Sequence, residues 1–221
     1  MREKREYQQK VLNSNSKITI CPWARDTGKS TTIFMDIEKD IIEKSEYHHI
    51  IVTGMMGATI LKAKLLKNYL NNFNNYKIDI ESNEGVSWVL INNDEDHTLK
   101  ESICIISRND VYDYVNKLST NAKFKVYFDS YYPLMSGLIN ILRFPNSRIF
   151  IFHNEITDLN IIPSSDSYVV GDDGWYDKEI NKLKKEFSDI DGQENNTKRR
   201  ECILSMINTL SNMKKDNRGD E

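Results

Sequence analysis

The sequence predicts a three-layer α/β fold around a mainly parallel sheet, and three observations carry the prediction. Short β-branched runs alternate with amphipathic segments from residue 17 to residue 153, the pattern of a parallel sheet covered on both faces by helices. The run 148–152, Arg-Ile-Phe-Ile-Phe, is almost continuously hydrophobic, as a strand buried on both faces must be. The 4 Pro and 9 Gly among 221 residues leave no stretch that reads as an interdomain linker.

Each element follows from its local pattern. Residues 2–12 read as a short polar helix in which Tyr7, Val11 and Leu12 share a face. A polar loop, 13–16, leads to Lys-Ile-Thr-Ile-Cys at 17–21, an alternating strand. From Lys29 to about Lys44, Ile33, Ile37 and Ile41 recur every four residues and predict a helix. A strand at 49–53, a small-residue loop at 54–57 and a helix at 58–70 come next. The middle of the chain reads as strands at 77–81, 86–92 and 102–107, the first two joined by a turn at Asn83-Glu84-Gly85. A helix at 110–118, a strand at 124–128 ending on Asp129, a helix at 134–142 and strands at 148–152 and 168–170 complete the pattern. From Asp177 the chain is helical and highly charged, with a polar break at 191–196. The expected division is residues 1–170 for the sheet domain and 171–221 for a charged helical C-terminal extension.

Composition narrows the function classes. With 30 basic and 33 acidic residues the net charge is −3, so no bulk field draws the protein to nucleic acid or to an anionic membrane. Any DNA contact has to come from a local patch or from neighbouring subunits. No apolar run approaches the roughly 20 residues that span a bilayer. The segment Arg2-Glu3-Lys4-Arg5-Glu6 is charged throughout and lacks the apolar centre of a signal peptide. Cys21, Cys104 and Cys202 have no metal-type spacing, and any disulfide would leave one unpaired. The expectation is a reduced, intracellular protein without a membrane partner.

The segment that carries chemistry is Ala24-Arg25-Asp26-Thr27-Gly28-Lys29-Ser30-Thr31, between a buried strand and an amphipathic helix. That is the setting of a phosphate-binding loop, the mark of the P-loop NTPase fold. The backbone N–H groups and the helix N-terminus favour anions. Lys29 is placed to contact the β and γ phosphates of ATP, the Ser30 hydroxyl to bind Mg²⁺, and Gly28 to let the backbone approach. The usual pattern has a glycine five positions before Gly28, where this chain has Trp23. The bland reading of the same residues is an ordinary helix N-terminus with Ser and Thr in its first turn.

A loop with Arg25 four positions before Lys29, a small residue (Ala24) ahead of it and no first glycine resembles the ATPase domain of viral terminase large subunits, the motors that package DNA into capsids. The resemblance implies that Arg25 stabilises the γ-phosphate and that Tyr7-Gln8, an aromatic-Gln pair upstream, recognises adenine. It implies that Asp129, ending an apolar strand, holds Mg²⁺ together with Ser30, and that Asn154 or His153 senses the γ-phosphate after the next strand. It covers roughly residues 5–160, on about a dozen specific positions. The expected cofactors are ATP and Mg²⁺; the expected partners are DNA within a larger assembly, further copies of the chain, and a capsid- or portal-type protein.

One position breaks that pattern. The residue after the metal-holding Asp is usually Glu, the base that orients water, and here it is Ser130. Serine is no general base at neutral pH. Either hydrolysis is weak, or Glu155 substitutes, or Asp129 is an ordinary strand end. Two other functions compete. A nucleoside or nucleotide kinase also opens on Gly-Lys-Ser-Thr-Thr, but between the loop and residue 160 only Arg108, Arg143 and Arg148 are available for a lid. A non-catalytic nucleotide-binding module is favoured by Trp23 and Ser130 and disfavoured by Lys29-Ser30. Lys62, Lys64 and Lys67, on or near one helix, are candidates for phosphate contact, against the blander and preferred reading of a solvated helix face; His48-His49 read as surface or capping residues.

Overall fold

The computed structural model describes residues 5–23, 27–55, 57–71, 76–83, 85–93, 98–130, 133, 135–153, 169–170, 173–190 and 197–216. Its elements in chain order begin with α1 (Glu6–Asn13), β1 (Ile18–Pro22), α2 (Lys29–Glu43), β2 (His48–Thr53) and α3 (Ala58–Leu70). Then come β3 (Tyr76–Asn83), β4 (Val86–Asn93), β5 (Leu99–Ser107), α4 (Val111–Asn116), β6 (Phe124–Asp129) and α5 (Met135–Leu142). The chain closes with β7 (Ser147–His153), β8 (Val169–Val170), α6 (Asp173–Ile190) and α7 (Thr197–Asp216).

Among the described residues the strands form one eight-stranded sheet in the order β3-β4-β5-β2-β6-β7-β1-β8. The five strands from β5 to β1 run parallel to their neighbours, and antiparallel pairings flank them: β3 with β4, β4 with β5, and β8 with β1. The mainly parallel sheet expected from the alternation is therefore present, and the different texture of residues 76–107 is an antiparallel meander on one side of it. Gly85, at φ 87°, supplies the left-handed residue in the β3–β4 turn.

Alternation along the strands sorts the core into two layers. Ile18, Ile20, Ile50, Val52, Phe124, Val126, Phe128, Ile149 and Ile151 face one side, where they meet residues of α4, α5, α6 and α7. Cys21, Ile51, Ile103, Ile105, Tyr127, Phe150 and Phe152 face the other, against α1, α2 and α3. The period of two along a pleated strand puts successive side chains on opposite faces, so both helix layers are dictated by the same short runs. The C-terminal helices share in this packing: Ile180, Leu183, Ile190, Ile203 and Leu210 join the first cluster. The central strands are long enough to be buried on both faces; every residue of β6 is buried.

One polar cluster interrupts the second layer. Asp36 and Asp40, one turn apart on α2, face Lys125 of β6, whose ammonium lies 3.0 Å from Asp36 Oδ2 and 2.7 Å from Asp40 Oδ2. The Tyr127 hydroxyl donates to Asp36 Oδ2 at 2.7 Å, and His49 Nδ1 lies 3.1 Å from that hydroxyl. Burial holds the His49 imidazole down at about 3 and raises the Tyr127 phenol and the Asp40 carboxyl. His49 is thus a neutral core residue, 1% exposed, which corrects the expected surface or capping role; His48 beside it is exposed.

Candidate functional site

The register of the central strands fixes where chemistry can occur. Pro22 at the end of β1 lies beside His153 of β7, Asp129 of β6 lies beside Phe152 of β7, and Thr53 of β2 lies beside Asp129. Four strands therefore end together on one edge. The loops leaving that edge include the one that opens α2. The carboxyl edge of an open α/β sheet is where such folds bind ligands.

The described half of the phosphate-loop segment has a defined build. Gly28 is the N-cap of α2 with φ 89°, a left-handed conformation that favours glycine. A Cβ there would come within 3.0 Å of Gln8 Nε2, so close packing also demands a bare backbone. The Gly28 carbonyl accepts from the Thr32 N–H at 2.8 Å and the Thr32 hydroxyl at 2.9 Å, starting the helix. The first turn, Lys29 to Thr31, carries backbone N–H groups that an α-helix does not bond internally. Lys29 is buried, and its ammonium donates to the Trp23 carbonyl at 2.9 Å.

Tyr7 and Gln8 sit behind this loop and hold it. The Tyr7 hydroxyl donates to the Thr27 carbonyl at 2.6 Å, and its ring meets Trp23 edge-on at 4.8 Å. Gln8 Nε2 donates to Thr32 Oγ1 at 2.9 Å, and Gln8 Oε1 accepts from the Arg5 N–H at 3.1 Å, closing the first turn of α1. The position that usually carries the loop's first glycine is occupied by a fully buried Trp23, packed edge-on against Tyr7 and, at 5.5 Å, Phe152. The departure in sequence is thus a core aromatic that ties β1, β7 and α1 together beneath the loop.

Asp129 ends β6 with its side chain 5% exposed. Its carboxylate pairs through Oδ2 with the Lys62 ammonium of α3, and its Oδ1 accepts from the Ser130 hydroxyl at 3.3 Å. The same Lys62 ammonium donates to Ser30 Oγ at 2.8 Å. Three segments distant in sequence therefore converge: the first turn of α2, the end of β6 and helix α3. Ser130 has φ 73°, and its N–H donates to the Phe152 carbonyl at 2.7 Å. A left-handed non-glycine residue is a strained element of the kind that gathers at functional sites.

The structure brings together Tyr7, Gln8, Thr27, Gly28, Lys29, Ser30, Thr31 and Asp129 of the expected site. Ala24, Arg25, Asp26, Asn154 and Glu155 lie outside the described residues, as does the side chain of His153. Lys62 corrects the sequence reading: it faces inward at 13% side-chain exposure, while Lys64 of the same helix is exposed. A signal existed in the spacing, since Lys62 is three residues after buried Thr59 and four before buried Leu66. Trp23 stood out in the sequence only as the missing first glycine; its carbonyl's bond to Lys29 was not foreseen, since no sequence pattern marks a backbone carbonyl as a lysine acceptor.

Fold and site together define a three-layer α/β protein whose carboxyl sheet edge carries the N-terminus of α2, opened by a left-handed glycine. Among solved structures, the ATPase domain of the large terminase of Thermus phage P74-26 is similar, at TM-score 0.48 and 10% identity, over 71% of this chain and 67% of that one. A mutant of the same domain matches at TM-score 0.47 and 10% identity over the same shares. No protein-family model matches the sequence, and no curated protein matches it.

Proposed function

We propose that the protein binds ATP, accompanied by Mg²⁺, with the triphosphate against residues 24–31, and serves as the nucleotide-driven part of an assembly that packages or translocates DNA. The observation that carries the nucleotide half is the convergence of Ser30 and Asp129 on one cation, the Lys62 ammonium, beside a helix N-terminus that a left-handed glycine opens and Lys29 follows. On this reading Lys29 exchanges the Trp23 carbonyl for phosphate oxygens. Ser30 and Asp129 hold the metal: a hydroxyl and a carboxylate are hard oxygen donors of the kind Mg²⁺ takes. That both already meet one cation, the Lys62 ammonium, supports the fit. Bound Mg²⁺ would neutralise phosphate charge.

Arg25 and Asn154 are assigned to the γ-phosphate, and Glu155 is the candidate base. Ser130 cannot act as one, so turnover is expected to be slow unless Glu155 serves. Gln8 reads adenine on this proposal, which requires it to trade its bond to Thr32 for one to the base. The DNA half rests on the resemblance of residues 24–30 to terminase loops, with DNA held through an assembly of further copies and a capsid- or portal-type partner. The Lys29→Ala variant tests the core of the reading. Calorimetric ATP affinity should fall about 10- to 100-fold, the loss expected for a charge-assisted hydrogen bond, with the circular-dichroism spectrum unchanged. Undiminished affinity would remove the phosphate site.

A further inference from the structure

Lys62 stands where the proposed site needs a cation. Its helix, α3, presents Leu61, Lys64 and Leu65 to solvent, yet the Lys62 side chain turns the other way and reaches across to α2 and β6. There its ammonium meets Ser30 Oγ at 2.8 Å, the Asp129 carboxylate, and the Phe34 ring face with its centroid 5.9 Å away. Three partners from two other elements fix its direction. An ammonium has three donors and no acceptor, and it is a compact point charge. A divalent cation held by Ser30 and Asp129 would share these partners with the ammonium, and like-charge repulsion between the two is strengthened by the low local dielectric.

We propose that the Lys62 ammonium is the resident cation of this site and competes with the divalent metal for Ser30 and Asp129. The inference rests on the reading of residues 24–31 as a triphosphate site and deepens it. With the metal absent, Lys62 neutralises Asp129, so that no net negative charge of the site opposes the phosphates and Lys29 acts on them alone. Metal entry displaces Lys62, so the gain from the metal is offset by the loss of the ammonium. Nucleotide affinity in the wild type therefore depends only weakly on divalent metal, and removal of Lys62 makes the dependence steep.

The test is ATP titration by calorimetry in excess Mg²⁺ and in excess EDTA, on the wild type, Lys62→Met and Lys62→Arg. The wild-type affinities should agree within about 3-fold, and Lys62→Met should lose about 10-fold or more in EDTA and recover in Mg²⁺. Lys62→Arg, which keeps the charge, should follow the wild type. A wild type that loses 10-fold in EDTA, or a Lys62→Met variant with the wild-type ratio, overturns the proposal while leaving the triphosphate site standing. Failure of ATP to bind the wild type under either condition overturns the triphosphate reading and this proposal with it. A nucleotide-free cycle of Lys62→Met and Asp129→Asn on the urea midpoint gives an independent readout. Additive shifts would overturn the pairing on which the competition depends; a smaller shift in the double variant than the sum supports it.

Discussion

Helix α2 touches two lysine–carboxylate clusters, and they differ in what surrounds them. At its N-terminus, Ser30 meets Lys62 and Asp129 on the carboxyl edge of the sheet, beside a left-handed glycine. Further along, Asp36 and Asp40 meet Lys125, Tyr127 and His49 in the layer between helix and sheet. Side-chain exposure is 13% for Lys62 and 3% for Lys125. In the second cluster each ionised group is enclosed by β6, β2 and the helix itself, so no ligand can replace a partner. In the first, a long side chain from a separate helix supplies the cation at a strand end, where an incoming ligand can take its place. Similar chemistry is structural where it is sealed and available for function where the sheet stops.

Lys125→Met should give the largest effect, about 3–5 kcal/mol of lost stability in urea unfolding, because it leaves two buried carboxylates without their cation. Lys62→Met should cost less than half as much, since Asp129 lies at the sheet edge beside the Ser130 hydroxyl. Equal costs would erase the contrast between the two clusters.

The pH dependence of stability should separate them as well. Burial holds folded His49 at about 3, while the unfolded chain keeps the ordinary 6.5. Below about 6.5 the unfolded state therefore takes up a proton that the folded state refuses, and stability falls with falling pH until about 3. The difference between pH 7.5 and pH 5 should be about 2 kcal/mol from this residue alone. Glu101, raised by burial to about 7, acts with the opposite sign, favouring the fold at low pH. Its share cancels when the wild type is compared with His49→Gln, which should lose the acid-side decline. An identical pH profile in the variant would mean that His49 titrates normally.

Gln8→Ala should lower stability by about 1 kcal/mol through its bonds to Thr32 and to the Arg5 N–H. If Gln8 also reads adenine, ATP affinity should fall more than GTP affinity; an equal fall would assign Gln8 to loop support only. The smallest effect should be Ser130→Gly, a gain of about 0.5–1 kcal/mol, because glycine adopts the observed φ of 73° without strain. A loss of stability there would show that the Ser130–Asp129 hydrogen bond outweighs the backbone strain.

Much of the fold was legible because it depends on local pattern. Ile33, Ile37 and Ile41 marked the buried face of α2, and the run at 148–152 marked a strand enclosed on both sides. The antiparallel meander was visible as three strands and a Gly85 turn, although β5 begins three residues earlier than its apolar run suggested. There Leu99 and Glu101 are paired to the β4 ladder across a register shift, and the segment carries no alternation of its own. In the site, Gly28-Lys29-Ser30 and Asp129 could be read from their places between strand and helix or at a strand end.

The residues alone determined which segments are strands and helices, because side-chain periods of two and of about four are properties of the local backbone. They also determined that Gly28 opens a helix and that Asp129 closes a strand. Only the tertiary structure decided that β7 lies between β1 and β6, that Trp23 packs beneath the loop, and that Lys62 turns inward while Lys64 faces solvent. Strand order and lysine direction depend on contacts between residues 32 to 131 positions apart, such as Lys62 with Ser30 or Ile18 with Ile149. A charged side chain on the flank of an amphipathic helix has both water and a buried carboxylate within reach. Which one it takes is settled by where the end of another strand falls.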